Sequence, residues 1–318
     1  MVHSHHSHSG QYVSHAVDQL DDVISRVKEM GFETFCLTEH VPRYDLKLLY
    51  PEELDKGYNV DSLVGKFQDY LKHARSIQKE INSDDSSRLK ILVGFETEGG
   101  IDDYHLERCL KFKQELKPDI IVGSVHHLNA IDIDYDRAKW LQAKGDLTLK
   151  EFFLAYFKQH QKMVIKLEPE VVGHFDLIRL FSSEYDKCSD TGKILKEIDI
   201  QKDWPDVWKV ISETVDLIIK QGGLIELNSA AIRKGWTTAY PKDDILKLII
   251  EKGGRVCLSD DSHGVKQVGL NYEKVLKHLQ ELQLERLYYW DLDKQGLPFI
   301  NSRSLEDIAL DPFWNNYK

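Results

Sequence analysis

The sequence is poor in the features that mark disulfide-framework, membrane-spanning and secreted proteins. Its four cysteines, Cys36, Cys109, Cys188 and Cys257, form no CxxC pair, so we interpret them as reduced thiols. No apolar run approaches the roughly 18 residues that a membrane span needs. The first residues are rich in histidine and lack the basic and then apolar order of a signal peptide. We therefore expect a cytoplasmic protein.

Positive charge is also scarce. The chain has 42 Lys and Arg against 53 Asp and Glu, a formal net charge of −11. No basic excess is available to neutralise the phosphates of nucleic acid or an anionic membrane, so we expect neither partner. Any phosphate that the protein binds must be held by a few local cations. No sequence pattern indicates an oligomeric state.

Short apolar runs alternate with longer amphipathic segments along the chain. The strand candidates are ETFCLT, LKILVGFE, DIIVGSV, EVVGHF, GLIELN, RVCLSD and RLYYW. Strands that are apolar almost throughout are typical of parallel strands buried on both faces. Seven or eight such units favour a closed β/α barrel over a doubly wound sheet, and one domain over residues 1–318 is expected. Residues 42–60 and 181–205 are predicted to be long loop insertions.

The 14 histidines fall into two groups by position. His73, His105, His160 and His278 lie in or beside predicted helices among charged neighbours, where an exposed histidine is the ordinary interpretation. Most of the others fall, with two carboxylates, at the carboxyl ends of predicted strands, where barrel enzymes carry their catalytic groups. The candidate ligands are His3, His5, His15, His40, Glu96, His126, His174, Asp261 and His263.

This set has the chemistry of a metal site. Neutral imidazole and carboxylate are suitable ligands for zinc, manganese and iron. His3-x-His5 on an extended strand would point both rings to the same face, and Asp261-x-His263 would do likewise. One such histidine alone would be read as a buried ring bonded to backbone, but nine residues at similar places argue against that reading. The set exceeds the three or four ligands of one ion, so more than one metal ion is expected.

The order HSH, H, TEH, GFE, SVHH, GHFDL, DDSH resembles the polymerase-and-histidinol-phosphatase (PHP) superfamily, and in particular its monofunctional histidinol-phosphate phosphatases of the fungal and Gram-positive type. The resemblance spans nearly the full chain. It implies a distorted (β/α)7, TIM-like barrel with three divalent ions, which would be zinc, manganese or iron. Two positions depart from the family pattern without removing a ligand: Val2 stands where Asp often precedes the first histidine, and Glu39 replaces the Asp of Thr-Asp-His.

The resemblance also distributes the ligands among three ions. Those of the first would be His3, His5, Glu96 and Asp261. Those of the second would be Glu96, His126 and His174, and those of the third His15, His40 and His263. His6 and His8 form an alternative HxH pair, but counting from Gly10 aligns His3 and His5 with the family pair and makes His6 and His8 loop residues.

Phosphate recognition requires cations besides the metals. Arg179 and Arg233 both follow strand ends closely, where a guanidinium group can hold phosphate oxygens in bidentate fashion. The resemblance assigns both to phosphate binding, and a surface salt bridge is the alternative for each. His127 and Glu98 are further candidates for substrate contact.

The expected reaction is metal-assisted hydrolysis of a small phosphomonoester, and the resemblance suggests L-histidinol phosphate. Asp261, His263 or a water would protonate the leaving group. The ligand set alone indicates only a phosphoester, so another phosphomonoester or phosphotyrosine is the first alternative. A non-catalytic metal-binding regulatory barrel is the second, against which the intact ligand set speaks. An amidohydrolase typically ends with a lone Asp, whereas this chain has Asp261-x-His263.

Overall fold

Eleven strands are formed by the residues that the computed structural model describes, 2–84 and 86–318. In chain order they are β1 (His3–Ser4), β2 (Thr34–Leu37), β3 (Lys90–Glu96), β4 (Ile120–Gly123), β5 (His127–Leu128), β6 (Ile131–Asp132), β7 (Val171–Val172), β8 (Leu224–Asn228), β9 (Val256–Ser259), β10 (Arg286–Leu292) and β11 (Pro298–Ser304). Seven of them form one sheet in the order β1, β2, β3, β4, β7, β8, β9, with every neighbouring pair parallel. Sheet order that follows chain order is the connectivity of a β/α barrel.

The two edge strands of this sheet meet and nearly close it. The His5 N–H donates to the Leu258 carbonyl at 3.3 Å, and the His8 N–H donates to the Ser262 carbonyl at 2.7 Å. Ser7 and Ser262 also pair as a parallel bridge. The expected distorted (β/α)7 barrel is confirmed.

Helices cover the outside of the barrel. They are α1 (Leu20–Met30), α2 (Pro51–Asp55), α3 (Val60–Asn82), α4 (Asp103–Leu116), α5 (Arg137–Lys144), α6 (Leu149–Leu167), α7 (Ile200–Asp203), α8 (Pro205–Gln221), α9 (Ala230–Arg233), α10 (Asp243–Glu251), α11 (Tyr272–Glu281) and α12 (Leu305–Ala309). In α1, Leu20, Val23, Ile24 and Val27 recur at helical spacing and are buried together against the sheet. The helix ends at Gly31, whose φ of 83° is a left-handed conformation that glycine adopts without a Cβ clash.

Two of the helical histidines do not lie at the surface, where we expected them. His105 in α4 and His160 in α6 are both buried. One turn before His160, the hydroxyl of Tyr156 lies 2.9 Å from its Nε2 and gives the buried ring a polar partner. The charged sequence neighbours of both histidines lie on other faces of their helices, so local composition did not indicate burial.

The last strand candidate, RLYYW, lies outside the barrel. It begins β10, which pairs with β11 as an antiparallel hairpin. Trp290 and Ile300 of the hairpin pack against barrel residues that include Cys36 and Cys257. The Trp290 Nε1–H donates to the carbonyl of Glu170, immediately before β7, at 3.0 Å. The hairpin therefore covers the amino-terminal end of the barrel, and β1 supplies the seventh barrel strand.

The two long insertions contain short helices of their own. Residues 42–60 include a 3₁₀ turn at Leu46–Leu48 and α2, while residues 181–205 include a 3₁₀ turn at Leu195–Glu197 and α7. No helix within the described ranges has both the length and the apolar character needed to cross a membrane.

Candidate metal centre

Imidazole and carboxylate groups crowd together at the carboxyl end of the barrel strands. Four overlapping sets of three residues have ligand atoms that all lie within 4.8 Å of one another. The sets are His8, His40 and His263; His6, Glu96 and His174; His6, His8 and Asp261; and His40, Glu96 and His126. Because the sets share members, they form one continuous ligand cluster.

Glu96, the last residue of β3, lies at the centre of this cluster. Its Oε1 lies 3.0 Å from Nε2 of His126 and 3.0 Å from Nε2 of His174. The same oxygen lies 3.1 Å from Nε2 of His6. A buried carboxylate oxygen that faces three imidazole nitrogens occupies a place where a cation would be shared among them.

The second oxygen of Glu96 faces other histidines. Oε2 lies 3.0 Å from Nδ1 of His40 and 3.3 Å from Nε2 of His8. Oδ1 of Asp261 lies 3.6 Å from Nε2 of His6 and 3.5 Å from Nε2 of His8. The two oxygens of Glu96 therefore face different histidines, which is the arrangement of a bridging carboxylate in a site with several ions.

His15 lies beside the ligand cluster, next to its members His40 and His263. The ring centroid of His15 lies 5.2 Å from that of His40 and 5.1 Å from that of His263. His15 belongs to none of the four close sets. Nδ1 of His263 lies 2.9 Å from the carbonyl oxygen of Asp261, so Nδ1 carries the proton and Nε2 remains available as a ligand.

The HxH pair within the cluster is His6 and His8, and the expected placement of His3 and His5 there is wrong. His3 pairs with Thr34, at the start of β2, and therefore lies at the amino-terminal side of the barrel. The chain bends at His5, which interrupts the regular alternation of side chains. His6 and His8 follow the bend and reach the carboxyl end of the barrel.

His3 and His5 have hydrogen-bond partners elsewhere. Nε2 of His3 accepts the Leu258 N–H at 2.9 Å, and Nε2 of His5 accepts the Trp290 N–H at 2.9 Å. Burial lowers the pKa of His5 to about 4, which keeps its ring neutral as an acceptor requires. This pair joins β1 to β9 and to the hairpin that covers the barrel end.

Several cluster imidazoles have a carboxylate beside their second ring nitrogen. The distances from Nδ1 are 3.1 Å for His126 to Asp134, 3.1 Å for His6 to Glu226 and 3.4 Å for His8 to Glu39. Such carboxylates orient a ring so that its other nitrogen faces a metal. Sequence reasoning assigned none of the three a place in the site. Glu226 could have been found from the sequence, since a charged residue in the apolar run GLIELN has to be paired once it is buried.

The pKa values show how strongly this cluster attracts positive charge. Burial alone would lower the pKa of His8, but the adjacent carboxylates of Asp261, Glu39 and Glu96 raise it to about 10. Burial would raise the pKa of Glu96, but the neighbouring imidazoles, His6 first among them, hold it well below its usual range. The carboxylates thus remain ionised and keep protons on nearby rings. Divalent cations would take the place of those protons.

The donor set fits divalent metal ions. Both ring nitrogens of His8 and of His40, and Oε2 of Glu96, are buried without a hydrogen bond of acceptable geometry. Buried polar atoms without partners are costly in a folded protein, and metal coordination would satisfy the Glu96 oxygen and one ring nitrogen of each histidine. Histidine and carboxylate together suit zinc, manganese and iron.

A cavity of about 340 Å³ opens onto the cluster. Arg233, at the end of α9, lines it beside Lys234, and the Arg233 Nη2 donates to the carbonyl of Asp261 at 3.2 Å. Arg233 therefore lines the cavity together with Asp261 and His263, and its role in phosphate binding stays a prediction.

The other proposed substrate contacts lie outside this cavity lining. Arg179 donates to both carboxylate oxygens of Asp244, at 3.0 and 2.7 Å, and borders a separate cavity. The structure does not bring Arg179 to the ligand cluster, because its guanidinium pairs with Asp244 in the first turn of α10, and its role at the phosphate stays a prediction.

His127 and Glu98 are also buried behind the cavity wall. Nε2 of His127 lies 2.8 Å from Oδ1 of Asp132 across the β5–β6 hairpin. Glu98 is paired with Arg43, and its Oε1 lies 3.4 Å from Nδ1 of His40. Neither residue lines the cavity, and substrate contact by either stays a prediction. Glu98 instead lies behind a cluster histidine.

A barrel with this ligand cluster at its carboxyl end belongs to a defined family. Residues 4–230 match the PHP domain family, and the chain therefore belongs to it.

Its curated relatives include a histidinol-phosphatase from Saccharomyces cerevisiae, 36% identical over 99% of this chain and 100% of that protein. A probable histidinol-phosphatase from Schizosaccharomyces pombe is also 36% identical, over 99% of this chain and 96% of its own length.

Two solved structures share the fold. A chain from Listeria monocytogenes has a TM-score of 0.67 and 20% identity, covering 85% of this chain and 98% of its own. The histidinol phosphate phosphatase of Lactococcus lactis, solved with zinc, L-histidinol and phosphate, has a TM-score of 0.59 and 18% identity, covering 88% of this chain and 93% of its own.

Proposed function

We propose that this protein is a histidinol-phosphatase, a phosphoric monoester hydrolase that converts L-histidinol phosphate and water to L-histidinol and phosphate. One observation carries the proposal. A chain similar along its whole length to the Saccharomyces cerevisiae histidinol-phosphatase holds a shared ligand cluster at the floor of a cavity that also contains an arginine. The four free and buried cysteines agree with a reducing, cytoplasmic setting.

We propose that the cluster holds three divalent ions. The first would be held by His6, His8, Glu96 and Asp261. The second would be held by Glu96, His126 and His174, and the third by His15, His40 and His263. Zinc, manganese and iron all suit these ligands. Zinc is further supported by the ion in the Lactococcus lactis structure.

When bound, divalent ions would polarise the phosphoryl oxygens and lower the pKa of a bound water, so that hydroxide is available at neutral pH. The protein supplies the remaining functions. Arg233 presents a guanidinium to the phosphoryl oxygens and stabilises the charge that they gain in the transition state. Asp134 holds the ring of His126 in a fixed orientation through the 3.1 Å contact to Nδ1.

We assign protonation of the departing oxygen to a water held by Asp261. His263 is poorly placed to act as the acid, because its Nδ1–H donates to the carbonyl of Asp261 and its Nε2 would ligate an ion. Asp261 lines the cavity, and its Oδ2 accepts a hydrogen bond from Asn228 Nδ2 at 3.3 Å. Burial would raise the pKa of Asp261, but the neighbouring imidazoles, His6 first among them, hold it well below its usual range, so Asp261 stays ionised and can accept a hydrogen bond from such a water.

The test is phosphate release from L-histidinol phosphate and from a panel of simple phosphomonoesters, before and after chelation and with metal add-back. We expect a strong preference for L-histidinol phosphate, loss of activity on chelation, and two or three ions per chain in the purified protein. Equal turnover of the whole panel would contradict the substrate. Freshly purified protein without any metal would contradict the metal centre.

A further inference from the structure

The cavity above the ligand cluster contains an acidic side chain that metal and phosphate binding leave unused. Glu52 lies in α2, within the insertion 42–60, and lines the cavity with Tyr50 and Tyr135. Its side chain is partly buried and makes no hydrogen bond or ion pair with any residue of the described ranges. A carboxylate held at a cavity wall without a partner is available to a ligand.

The remaining acidic groups of the cavity are already engaged. Glu96 and Asp261 belong to the ligand cluster, and Asp134 contacts Nδ1 of His126. Glu52 is therefore the carboxylate of the described lining that is left to bind the organic part of a substrate.

The backbone on either side of Glu52 is firmly attached to the barrel. The guanidinium of Arg43 lies 4.0 Å from the ring centroid of Tyr50 and also pairs with Glu53 and Glu98. Glu53 in turn accepts the Tyr50 N–H at 2.8 Å. These buried contacts fix the start of α2 and hold Glu52 in place at the cavity without using its carboxylate. Such a preorganised group loses little freedom when it binds a ligand.

The charged groups of L-histidinol phosphate fit the charged groups of the cavity in one orientation. Its phosphate belongs at the cluster and Arg233, which leaves an ammonium and an imidazole for the rest of the lining. Lys234 would repel the ammonium, and Oε1 of Gln267 already accepts the His263 N–H at 3.0 Å. The rings of Tyr50 and Tyr135, 6.3 Å apart and 17° from parallel, provide apolar surface for the imidazole.

We propose that Glu52 determines specificity by pairing with the ammonium group of the substrate. The inference rests on the proposed function, because it takes L-histidinol phosphate as the substrate. It assigns part of substrate recognition to the insertion 42–60, which lies outside the barrel strands. The phosphate end would be bound by the barrel and the amine end by the insertion.

The experiment compares Glu52→Gln with Asp55→Asn, which removes an equal charge from an exposed position of the same helix. Each metal-loaded protein is assayed with L-histidinol phosphate and with p-nitrophenyl phosphate, which has no ammonium group. L-Histidinol is also titrated against each protein by calorimetry, so that binding is measured without turnover. Thermal unfolding verifies that both variants fold as the parent does.

For Glu52→Gln we expect kcat/KM for L-histidinol phosphate to fall by about tenfold, mainly through KM, as expected for a lost pair between charged groups at a partly exposed site. Calorimetry should show a similarly weaker Kd for L-histidinol. Turnover of p-nitrophenyl phosphate, and all values for Asp55→Asn, should match the parent.

Equal losses on both substrates, or no loss with L-histidinol phosphate, would overturn the role of Glu52 while leaving the proposed function intact. A parent protein that does not hydrolyse L-histidinol phosphate would overturn both.

Discussion

Replacing one histidine from each amino-terminal pair separates their roles. His8→Leu removes a member of the ligand cluster, whereas His5→Leu removes a buried acceptor on the other side of the bend in the chain. Both variants make the same chemical change within the same short segment. We expect His8→Leu to lose bound metal and activity, and His5→Leu to retain metal but to be less stable.

The magnitudes follow from what each ring contacts. Without the His5 Nε2 acceptor, the Trp290 N–H is left buried without a partner, which costs about 1–3 kcal/mol. For a protein of this size, that loss lowers Tm by about 1.5–4.5 °C. The ring of His8 lies 3.3 Å from Glu96 and 3.5 Å from Asp261, so its removal takes a donor from the centre of the site. The affinity for metal should fall by more than the roughly 10–100-fold typical of a lost outer-shell partner.

The assay is metal content per chain by elemental analysis after dialysis, with Tm measured on metal-loaded and chelated samples. The chelated samples isolate the structural cost, because no metal then stabilises the folded state. A His5→Leu protein that loses metal as completely as His8→Leu would refute the assignment of the two pairs. So would a His8→Leu protein with a full complement of ions.

Three further substitutions test the rest of the site. Arg233→Ala should lower kcat/KM for any phosphomonoester by about 100- to 1,000-fold while leaving metal content unchanged, because it removes a donor to the transition state; unchanged kinetics would exclude Arg233 from phosphate binding. Asp134→Asn should weaken metal binding by about 10–100-fold in competition with a chelator, because the ring of His126 loses its orienting carboxylate; unchanged affinity would make that contact incidental. Arg179→Ala should lower Tm and change kcat/KM by less than about tenfold, because the ion pair with Asp244 is structural; a larger kinetic loss with normal Tm would return Arg179 to the site.

The insertion 42–60 and the hairpin of β10 and β11 show what the local sequence pattern does not predict. Periodicity identified RLYYW as a strand, and it is one, but periodicity does not say which strand pairs with which. Trp290 sits over the barrel end because its apolar ring completes the interior around Cys36 and Cys257. Likewise, nothing in residues 42–60 indicated that Glu52 would face the cavity, since its position depends on the buried contacts of Arg43 and Tyr50.

The sequence by itself determined the barrel and most of the ligand cluster. Parallel strands buried on both faces must be apolar throughout, and polar ligands that follow such strands come together because the carboxyl ends of parallel strands lie at one end of the barrel. His40, Glu96, His126, His174, Asp261 and His263 could therefore be found from their positions after strands, and the structure brings all of them together.

Only the tertiary structure distinguished between residues of the same type that satisfy the same sequence pattern. Both HxH pairs satisfy the same spacing rule, and a bend at His5 places His6 and His8, not His3 and His5, at the carboxyl end of the barrel. Arg179 and Arg233 both follow strand ends, and the presence of Asp244 beside Arg179 leaves only Arg233 at the cavity. Bends and long-range ion pairs depend on residues distant in the chain, so one segment read alone does not contain them.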